Sequence, residues 1–279
     1  MTDEYDLTYI SFGAGVQSTA MLALSCLEEQ GVPRADVAIF ADTGCEPTWT
    51  HEHIAKCRVW AGHRGMEIKV VSAGNMMEDA VSRCTAGGKS RMATIPMFTL
   101  GEDGRAAPLK RQCTADYKIK PIEKAVREML GLKKGQRAKG KFKVRCMIGI
   151  STDEMQRMKD SRTAWVDNCW PLVDANINRD MCKRIAMEHG MPEPRKSSCT
   201  ICPFHNNHYW QMMKHQHPEE FEKAVEFDLQ IRNMSRAGVR RPVYLHRSLK
   251  PLGEIDFAEG GQMFMFEDMI DECDGMCGL

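Results

Sequence analysis

The sequence predicts an α/β fold, in which a mostly parallel, doubly wound sheet precedes a helical C-terminal part that carries cysteines. Strand-like and helix-like segments alternate through the first half of the chain, a pattern typical of βαβ units and a parallel sheet. A glycine-rich turn joins the first strand segment to the first helix segment. We therefore predict an α/β domain over residues 1–175 and a helical part over residues 176–279.

Short runs of β-branched, aromatic and other apolar residues predict the buried strands. The first run, Leu7-Thr-Tyr-Ile-Ser-Phe12, stops at Gly13. Similar runs cover residues 37–40, 67–71 and 144–150, and we expect these four strands to form the sheet.

Apolar residues at helical spacing predict helices between and after these strands. The predicted helices cover residues 18–29, 48–61, 115–130, 153–159 and 178–190, and a helical tract follows as far as residue 236. Residues 84–110 are rich in glycine, proline and small side chains, which predicts a long loop or a small hairpin over the functional site.

Composition excludes several classes of protein. The chain has 279 residues with 38 basic and 38 acidic side chains, so it is not a polycation that coats nucleic acid. No apolar run is long enough to span a membrane, and the acidic start of the chain is unlike a signal peptide. We therefore expect a cytoplasmic protein with no membrane partner, whose 12 cysteines serve as metal ligands, nucleophiles or core residues.

The glycine-rich turn Ser11-Phe-Gly-Ala-Gly-Val-Gln-Ser-Thr19 has the properties of an anion-binding loop. Small residues let an anion approach the backbone, and the following helix N-terminus adds N–H groups and the positive end of its dipole. The turn lacks the Gly-Lys-Ser/Thr of a Walker loop and the glycine spacing of a Rossmann fingerprint. An ordinary tight turn is the alternative that this segment leaves open.

The turn resembles the PP-loop of the adenine nucleotide alpha-hydrolase superfamily, and more closely its Ser-Phe-Gly variants in the phosphoadenosine-phosphosulfate (PAPS) reductase family. DNA-phosphorothioation sulfurtransferases are similar as well. Four further segments resemble motifs of the PAPS reductase family, in the same order: Phe40-Ala-Asp-Thr-Gly44, Arg111-Gln-Cys-Thr-Ala-Asp-Tyr-Lys-Ile-Lys-Pro-Ile122, Gly149-Ile-Ser-Thr-Asp-Glu-Met-Gln-Arg157 and the strand motif Trp170-Pro-Leu-Val-Asp174. The resemblance extends over roughly residues 7–210.

The resemblance implies that an adenine nucleotide binds in the crevice beyond the carboxyl ends of the strands. Its phosphates would lie on the loop, with the Asp-Thr-Gly turn beside them and charged side chains of the later motifs around them. The implied nucleotide-binding residues are Ser11, Gly13, Ala14, Gly15, Gln17, Ser18, Thr19, Asp42, Thr43, Gly44, Arg111, Lys118, Glu154 and Arg157.

Two residues depart from the family pattern. Gln17 replaces the aspartate of the PP-loop, and Ser151 replaces an arginine that is a candidate phosphate or sulfate ligand. A carboxylate in the loop would help to hold Mg²⁺, and glutamine cannot supply its charge. Gln17 therefore favours PAPS or adenylyl sulfate (APS), which arrive already activated, over ATP, whose cleavage Mg²⁺ assists.

The segment Cys199-Thr-Ile-Cys202 has the C-x-x-C spacing with which two thiolates bind one metal ion or one edge of a cluster. The resemblance adds Cys113, because sulfonucleotide reductases and DNA-phosphorothioation enzymes combine a cysteine there with a distant C-x-x-C to hold a 4Fe–4S cluster. The fourth ligand is left open, and we predict Cys182. A zinc site with the same four thiolates is the alternative.

Cys273 and Cys277 lie in a glycine-containing acidic segment at the end of the chain. A thiol on a mobile terminus can enter a site and take up sulfur or a sulfonate group. The tail resembles, in part, the Glu-Cys-Gly-Leu tail that carries the nucleophile of sulfonucleotide reductases, so both cysteines are predicted to be catalytic. Incidental thiols in a frayed terminus are the alternative.

Two enzymatic hypotheses and one non-enzymatic hypothesis follow. In the first, a tail cysteine reduces a sulfonucleotide, with a thiol as electron donor. In the second, the protein uses ATP to adenylylate a nucleic acid, which a persulfide donor then thiolates; residues 133–145 hold seven basic residues and no acidic one, which favours this partner. In the third, the protein is a regulator that binds nucleotide and cluster. The sequence leaves the oligomeric state open.

Overall fold

The computed structural model describes residues 5–86, 95–234 and 239–257. The strands are β1 (Leu7–Ser11), β2 (Val37–Asp42), β3 (Glu67–Ser72), β4 (Phe98–Leu100), β5 (Ala106–Pro108), β6 (Val144–Ile148), β7 (Val166–Cys169) and β8 (Val243–Tyr244). The α-helices are α1 (Val16–Leu27), α2 (Thr48–Gly62), α3 (Met76–Ala86), α4 (Lys120–Met129), α5 (Pro171–Asp174), α6 (Arg179–Glu188), α7 (Asn207–Gln216) and α8 (Pro218–Gln230). A π-helical segment, Thr114–Ile119, leads into α4, and 3₁₀ turns cover Thr152–Arg157 and Leu252–Glu254.

The main sheet has five parallel strands in the order β3–β2–β1–β6–β7. Strand β1 is central, and its Tyr9 pairs with Val37 of β2 on one side and with Cys146 of β6 on the other. The chain proceeds from β1 outward to β3 and then crosses to β6, so the winding direction reverses between β1 and β6. Open α/β sheets bind ligands in the crevice at such a reversal. The predicted α/β fold with a parallel, doubly wound sheet is confirmed.

Helices cover both faces of this sheet. Helix α1 is buried from Val16 to Cys26, because α2 and α6 pack around it on the same face. On the opposite face, α4 packs Ile122 and Val126 against the strands. The two layers bury apolar side chains on both faces of the inner strand β2, which explains why its first five residues are all apolar.

The C-terminal part is helical, as predicted, and has its own apolar cluster around Trp210 and Phe227. The buried carboxylate of Asp228 in α8 organises the end of this part. It accepts hydrogen bonds from the backbone N–H groups of Leu245 (2.7 Å) and Leu252 (3.0 Å), and it forms an ion pair with Arg232. Within the ranges that the structure describes, no helix has both the length and the apolar character needed to cross a membrane.

Of the two alternatives predicted for residues 84–110, a long loop or a small hairpin, the structure has the hairpin. The helix α3 takes up the first part, and strands β4 and β5 form an antiparallel hairpin that pairs with β8 in a second, three-stranded sheet. The remaining residues of the predicted loop include 87–94, which lie outside the described ranges.

Two proline residues explain the other differences from the predicted elements. Residues 170–174 were expected to be a strand, but the strand is β7, and Pro171 begins the short helix α5. Pro218 likewise begins α8 and divides the predicted helical tract into α7 and α8. Proline suits the first position of a helix, since its φ angle is fixed near the helical value and its missing N–H would have no partner there.

Candidate functional site

The glycine-rich loop lies at the carboxyl end of β1, on the crevice between β1 and β6. Gly15 is the N-cap of α1; its N–H donates to Ser18 Oγ over 3.1 Å. Ala14 has a φ of +57°, in the left-handed region that favours glycine. This turn reverses the chain into α1, so that the first N–H groups of the helix face the crevice.

Gly149, the first residue after β6, lies against the first turn of α1. A Cβ atom on Gly149 would be 2.9 Å from the backbone nitrogen of Ser18 and 3.1 Å from the carbonyl carbon of Gln17. Backbone atoms cannot yield to such a contact as a flexible side chain can. Glycine is therefore required for the close approach of the two segments that form the crevice.

A cavity of about 90 Å³, which we call the loop cavity, opens beside this contact. It brings together predicted residues from the loop and from the segment after β6. Arg157 Nη1 lies 2.6 Å from Glu154 Oε2, and Arg179 Nη1 lies 3.8 Å from Glu154 Oε1. The predicted residues on its wall are Ser11, Gly13, Gly15, Gln17, Ser18, Glu154 and Arg157. Arg179, Lys196 and Ser197 also line the cavity and were not predicted from the sequence.

The two departures from the family pattern are neighbours in space. The Gln17 side chain is buried, and its Nε2 donates to Ser151 Oγ over 3.5 Å. Its Oε1 accepts from Arg179 Nη1, also over 3.5 Å. A single glutamine thus links the position of the replaced arginine to an arginine that comes from another element, α6.

Thr19 does not face the loop cavity, contrary to the sequence prediction. It is fully buried between α1 and α2, where its Oγ1 lies 2.9 Å from His53 Nε2. Burial, and after it the nearby Lys56, lowers the pKa of His53 to about 4. A neutral imidazole therefore holds Thr19 at neutral pH. Ala14 lines a separate cavity of about 740 Å³ between α2 and the α7–α8 junction.

The Asp-Thr-Gly turn follows β2 and connects the sheet to the C-terminal part. Asp42 Oδ1 accepts from the N–H of Gly44 over 2.8 Å, which fixes the turn. The buried Thr43 donates a hydrogen bond from its Oγ1 to Glu46 Oε1 over 3.0 Å. Thr43 Oγ1 also lies 3.4 Å from Cys199 Sγ. This turn therefore faces the C-x-x-C segment.

Three of the predicted metal ligands, Cys113, Cys199 and Cys202, line one small cavity of about 30 Å³, which we call the thiol cavity. Arg111 and Lys118 lie on its wall too. Burial raises the pKa of the Cys202 thiol to about 11, and that of Cys199 well above its usual range, with Glu46 as the second cause for Cys199.

The donor chemistry of the thiol cavity fits a metal centre, because three cysteine sulfurs are a soft ligand set that suits zinc or an iron–sulfur cluster. Among the described residues, no three His, Cys, Asp or Glu groups already stand in an arrangement that could hold a metal ion.

The structure does not bring Cys182 to the thiol cavity. Cys182 lies on α6 in the core shared with α1, where burial raises its pKa to about 12. Cys45 lies closer to the predicted metal ligands than Cys182 does. Its carbonyl accepts a hydrogen bond from the N–H of Thr200, within the C-x-x-C segment, over 2.8 Å, and its own N–H donates to Thr43 Oγ1. The available sequence signal was that Cys45 directly follows the Asp-Thr-Gly turn.

Cys273 and Cys277 fall outside the described residues. The basic residues 133–143 lie before β6, and Lys143 is fixed there by a 2.7 Å hydrogen bond from its N–H to Asp6. They are at the amino edge of the sheet, roughly 16 Å from the carboxyl edge at about 3.3 Å per residue of β6.

Comparisons with known proteins find similarity in structure and none in sequence. No protein-family model matches the chain, and no curated protein is significantly similar to it. A solved structure that it resembles is the phosphoadenylyl-sulfate (PAPS) reductase from Candida auris in its phosphate complex, with a TM-score of 0.41 and 15% sequence identity. The match covers 69% of this chain and 76% of that chain.

Proposed function

We propose that this protein is an enzyme that performs sulfur chemistry on an adenine nucleotide, and that its reaction is the reduction of a sulfonucleotide such as APS or PAPS. The observation that carries the proposal is the contact between Thr43 and Cys199. Through it, the turn that flanks the predicted nucleotide crevice shares a wall with the cysteines of the thiol cavity. The order of the motifs, which resembles the PAPS reductase family, supports the same class of reaction.

The residues around the crevice have the chemistry to bind such a nucleotide. The glycine loop and the N-terminus of α1 offer backbone N–H groups to a phosphate. Arg111 and Lys118, on the wall of the thiol cavity, offer positive charge to the sulfate end. The sulfur of the substrate would then lie between the loop and the cysteines.

The proposed reaction uses two thiols. The thiolate of Cys277 or Cys273 attacks the sulfur of the sulfonucleotide, an S–S bond forms, and the bond from sulfur to the phosphate oxygen breaks, so that the adenosine phosphate leaves. A second thiol, from an external donor, attacks the cysteine sulfur, forms a disulfide with it and releases sulfite. The two thiols lose two electrons, and the sulfate sulfur gains them.

Cys113, Cys199 and Cys202 would hold a 4Fe–4S cluster, or zinc, beside this reaction. Such a group, when bound, supplies fixed charge near the sulfate and ties the C-x-x-C segment to the segment of Cys113. Lys118 lies on the wall of the thiol cavity with these cysteines. Its positive charge would orient the sulfate group of the substrate.

The alternative reaction, ATP-dependent thiolation of a nucleic acid, receives less support. Gln17 lacks the charge that would help to bind Mg²⁺ for ATP cleavage. The basic residues 133–143, which favoured this alternative, lie at the opposite edge of the sheet from the crevice.

The experiment is a comparison of substrates with protein purified under anaerobic conditions. With APS or PAPS and excess dithiothreitol, we expect equal amounts of sulfite and adenosine phosphate over many turnovers. Protein that contains its metal but releases sulfite from neither compound would refute the proposal. Release of AMP or pyrophosphate from ATP, dependent on added nucleic acid, would support the thiolation reaction instead, and nucleotide binding without turnover would support a regulator.

A further inference from the structure

We propose that residues 133–143, between α4 and β6, form a docking surface for the sugar–phosphate backbone of a nucleic acid. We call this segment the basic loop. The surface is separate from the predicted nucleotide crevice, so its role lies beyond the proposed function. Binding to it requires no turnover, metal centre or bound nucleotide.

The basic loop presents a dense cluster of positive charge. Five of its basic side chains, within nine consecutive positions, are exposed: Lys133, Lys134, Arg137, Lys139 and Lys141. Residues 133–145 include no acidic side chain that could offset them. Each strand of a nucleic acid duplex carries one phosphate per about 3.4 Å of its axis, and basic side chains that neutralise phosphates release bound counterions. A dense cluster of exposed cations therefore matches this backbone.

Within the described part of the chain, these five side chains have no partner in an ion pair or a hydrogen bond. The two basic residues that follow them differ. Lys143 Nζ lies 3.9 Å from Asp167 Oδ2, and the Arg145 guanidinium group lies 4.1 Å from the centre of the Tyr5 ring. Lys143 and Arg145 thus serve contacts within the fold, whereas the five exposed side chains are available to a partner.

Hydrogen bonds fix the backbone of the basic loop. Gln136 Oε1 accepts from the N–H of Lys133 over 2.7 Å, and the Gln136 carbonyl accepts from the guanidinium group of Arg127 in α4. The buried Ala138 belongs to the same apolar cluster as α4, and its carbonyl accepts from the N–H of Lys141 over 2.9 Å. Side chains on a fixed backbone lose less conformational entropy on binding than those of a disordered segment.

A nucleic acid fits this surface better than an acidic protein does. The one apolar side chain within residues 133–141 is that of Ala138, and it is buried. Protein interfaces are built around apolar and aromatic anchors, which residues 133–141 do not offer. Phosphate contacts need positive charge and hydrogen-bond donors, and lysine and arginine side chains supply both.

The position of the basic loop separates docking from the proposed chemistry. The loop lies at the amino edge of the sheet, before β6, whereas the loop cavity lies at the carboxyl edge, after β6. A nucleic acid held on the basic loop would leave the predicted nucleotide crevice open. Its role would be to position the protein and not to accept sulfur, so we expect nucleotide and nucleic acid to bind without competition.

The test is fluorescence anisotropy of the intact protein with labelled duplex DNA, duplex RNA and single strands of each, at several KCl concentrations. We expect an affinity that falls steeply with salt, because counterions are released on binding, and the tightest ligand identifies the form of nucleic acid. The double variant Lys139→Gln/Lys141→Gln should weaken binding and lower the slope of log affinity against log salt by about 2, one for each lost phosphate contact. The control, Lys183→Gln/Arg184→Gln, removes the same charge from exposed positions on α6 and should leave affinity and slope unchanged.

Wild-type protein that binds none of these nucleic acids at low salt would overturn the inference. Equal losses in the two double variants would show an effect of net charge and not of the basic loop. Polyglutamate that competes as strongly as nucleic acid would indicate an acidic protein as the partner instead. Displacement of the nucleic acid by APS would place it in the crevice and reject a separate surface. Protein that binds nucleic acid on the basic loop but never releases sulfite would retain this inference and reject the proposed function.

Discussion

Thr43 Oγ1 lies 3.4 Å from Cys199 Sγ, although the two residues are 156 positions apart in the chain. The threonine belongs to the turn after β2, and the cysteine belongs to the C-x-x-C segment between α6 and α7. The same hydroxyl donates to Glu46, whose Oε1 lies 3.6 Å from the same sulfur. The C-x-x-C segment is therefore in direct contact with the turn that borders the predicted nucleotide crevice.

Replacement of Cys199 by serine tests the metal centre. We expect Cys199→Ser to lose most of the bound iron and acid-labile sulfide, or zinc, because one of three thiols on the cavity wall is removed. Metal analysis per chain after anaerobic purification gives the result. Cys169→Ser, at the end of β7, is the matched control and should retain the metal. Equal metal content in the two variants would contradict the prediction.

A second pair of variants distinguishes the candidates for the fourth ligand. We expect Cys45→Ser to lower the metal content, because Cys45 adjoins the C-x-x-C segment, whereas Cys182→Ser should keep it. Cys182→Ser should instead lower the free energy of unfolding by about 1–3 kcal/mol, because a hydroxyl is buried among apolar side chains. Urea unfolding and metal analysis separate the two effects. Loss of metal in Cys182→Ser alone would restore Cys182 as the ligand.

The sheet could be predicted from the sequence because a buried strand is a local pattern. Residues 7–12 and 67–71 were predicted as strands, and the structure has Leu7–Ser11 and Glu67–Ser72. The glycine loop was found for the same reason, since its turn and its helix are contiguous. The helix α3 was missed, because Met76–Ala86 precedes a glycine-rich segment and only one of its sides packs against the C-terminal cluster.

Contacts between distant segments could not be predicted in this way. Gln17 and Arg179 are 162 positions apart, and no spacing within either segment indicates their contact. Cys182 shows the same limit: it was predicted as the fourth metal ligand, and the packing of α6 on α1 separates it from the other thiols. Thr19 was assigned to the crevice from its place in the loop, but α2 provides its partner, His53.

Gly149 offers a test of the close approach between β6 and α1. We expect Gly149→Ala to weaken nucleotide binding and to lower stability by about 1–3 kcal/mol, because the new methyl group would overlap the backbone of Ser18. Gly62→Ala, at the end of α2 with no atom within 4 Å of the new Cβ, is the control and should be neutral or slightly stabilising. Thermal unfolding and calorimetry measure both. Equal effects of the two substitutions would show that the approach is not tight.

The buried His53 predicts that the protein is less stable in mild acid. Its pKa falls from an ordinary value of 6.5 to about 4 in the folded state, chiefly through burial. Between these two pH values the imidazole of His53 binds a proton in the unfolded state but not in the folded state. The contribution of the neutral His53 to the free energy of unfolding is therefore complete above pH 6.5 and is lost as the pH falls towards 4. From pH 7 to pH 5 this loss is about 2 kcal/mol.

His53→Gln should remove that part of the pH dependence, since glutamine keeps a polar partner for Thr19 but does not titrate. Urea unfolding at pH 7 and at pH 5 gives the two free energies for each protein. His51 is an exposed histidine on the same helix, α2. His51→Gln is therefore the control and should leave the pH dependence of the free energy of unfolding as in the wild type. An unaltered pH dependence in His53→Gln would show that this histidine does not titrate differently in the folded state.

The tail cysteines give the prediction that bears most directly on the reaction. If Cys277 is the nucleophile, Cys277→Ser should abolish sulfite release from APS and PAPS, because a serine hydroxyl is a far weaker nucleophile than a thiolate at neutral pH. The affinity for the nucleotide should remain, since the loop and the arginines hold the phosphates. Cys273→Ser is the matched comparison four positions earlier in the same tail. The variant that loses turnover while keeping nucleotide affinity and metal content identifies the nucleophile. Full activity in the double variant would exclude the tail from the chemistry and require the attacking thiol to come from the external donor.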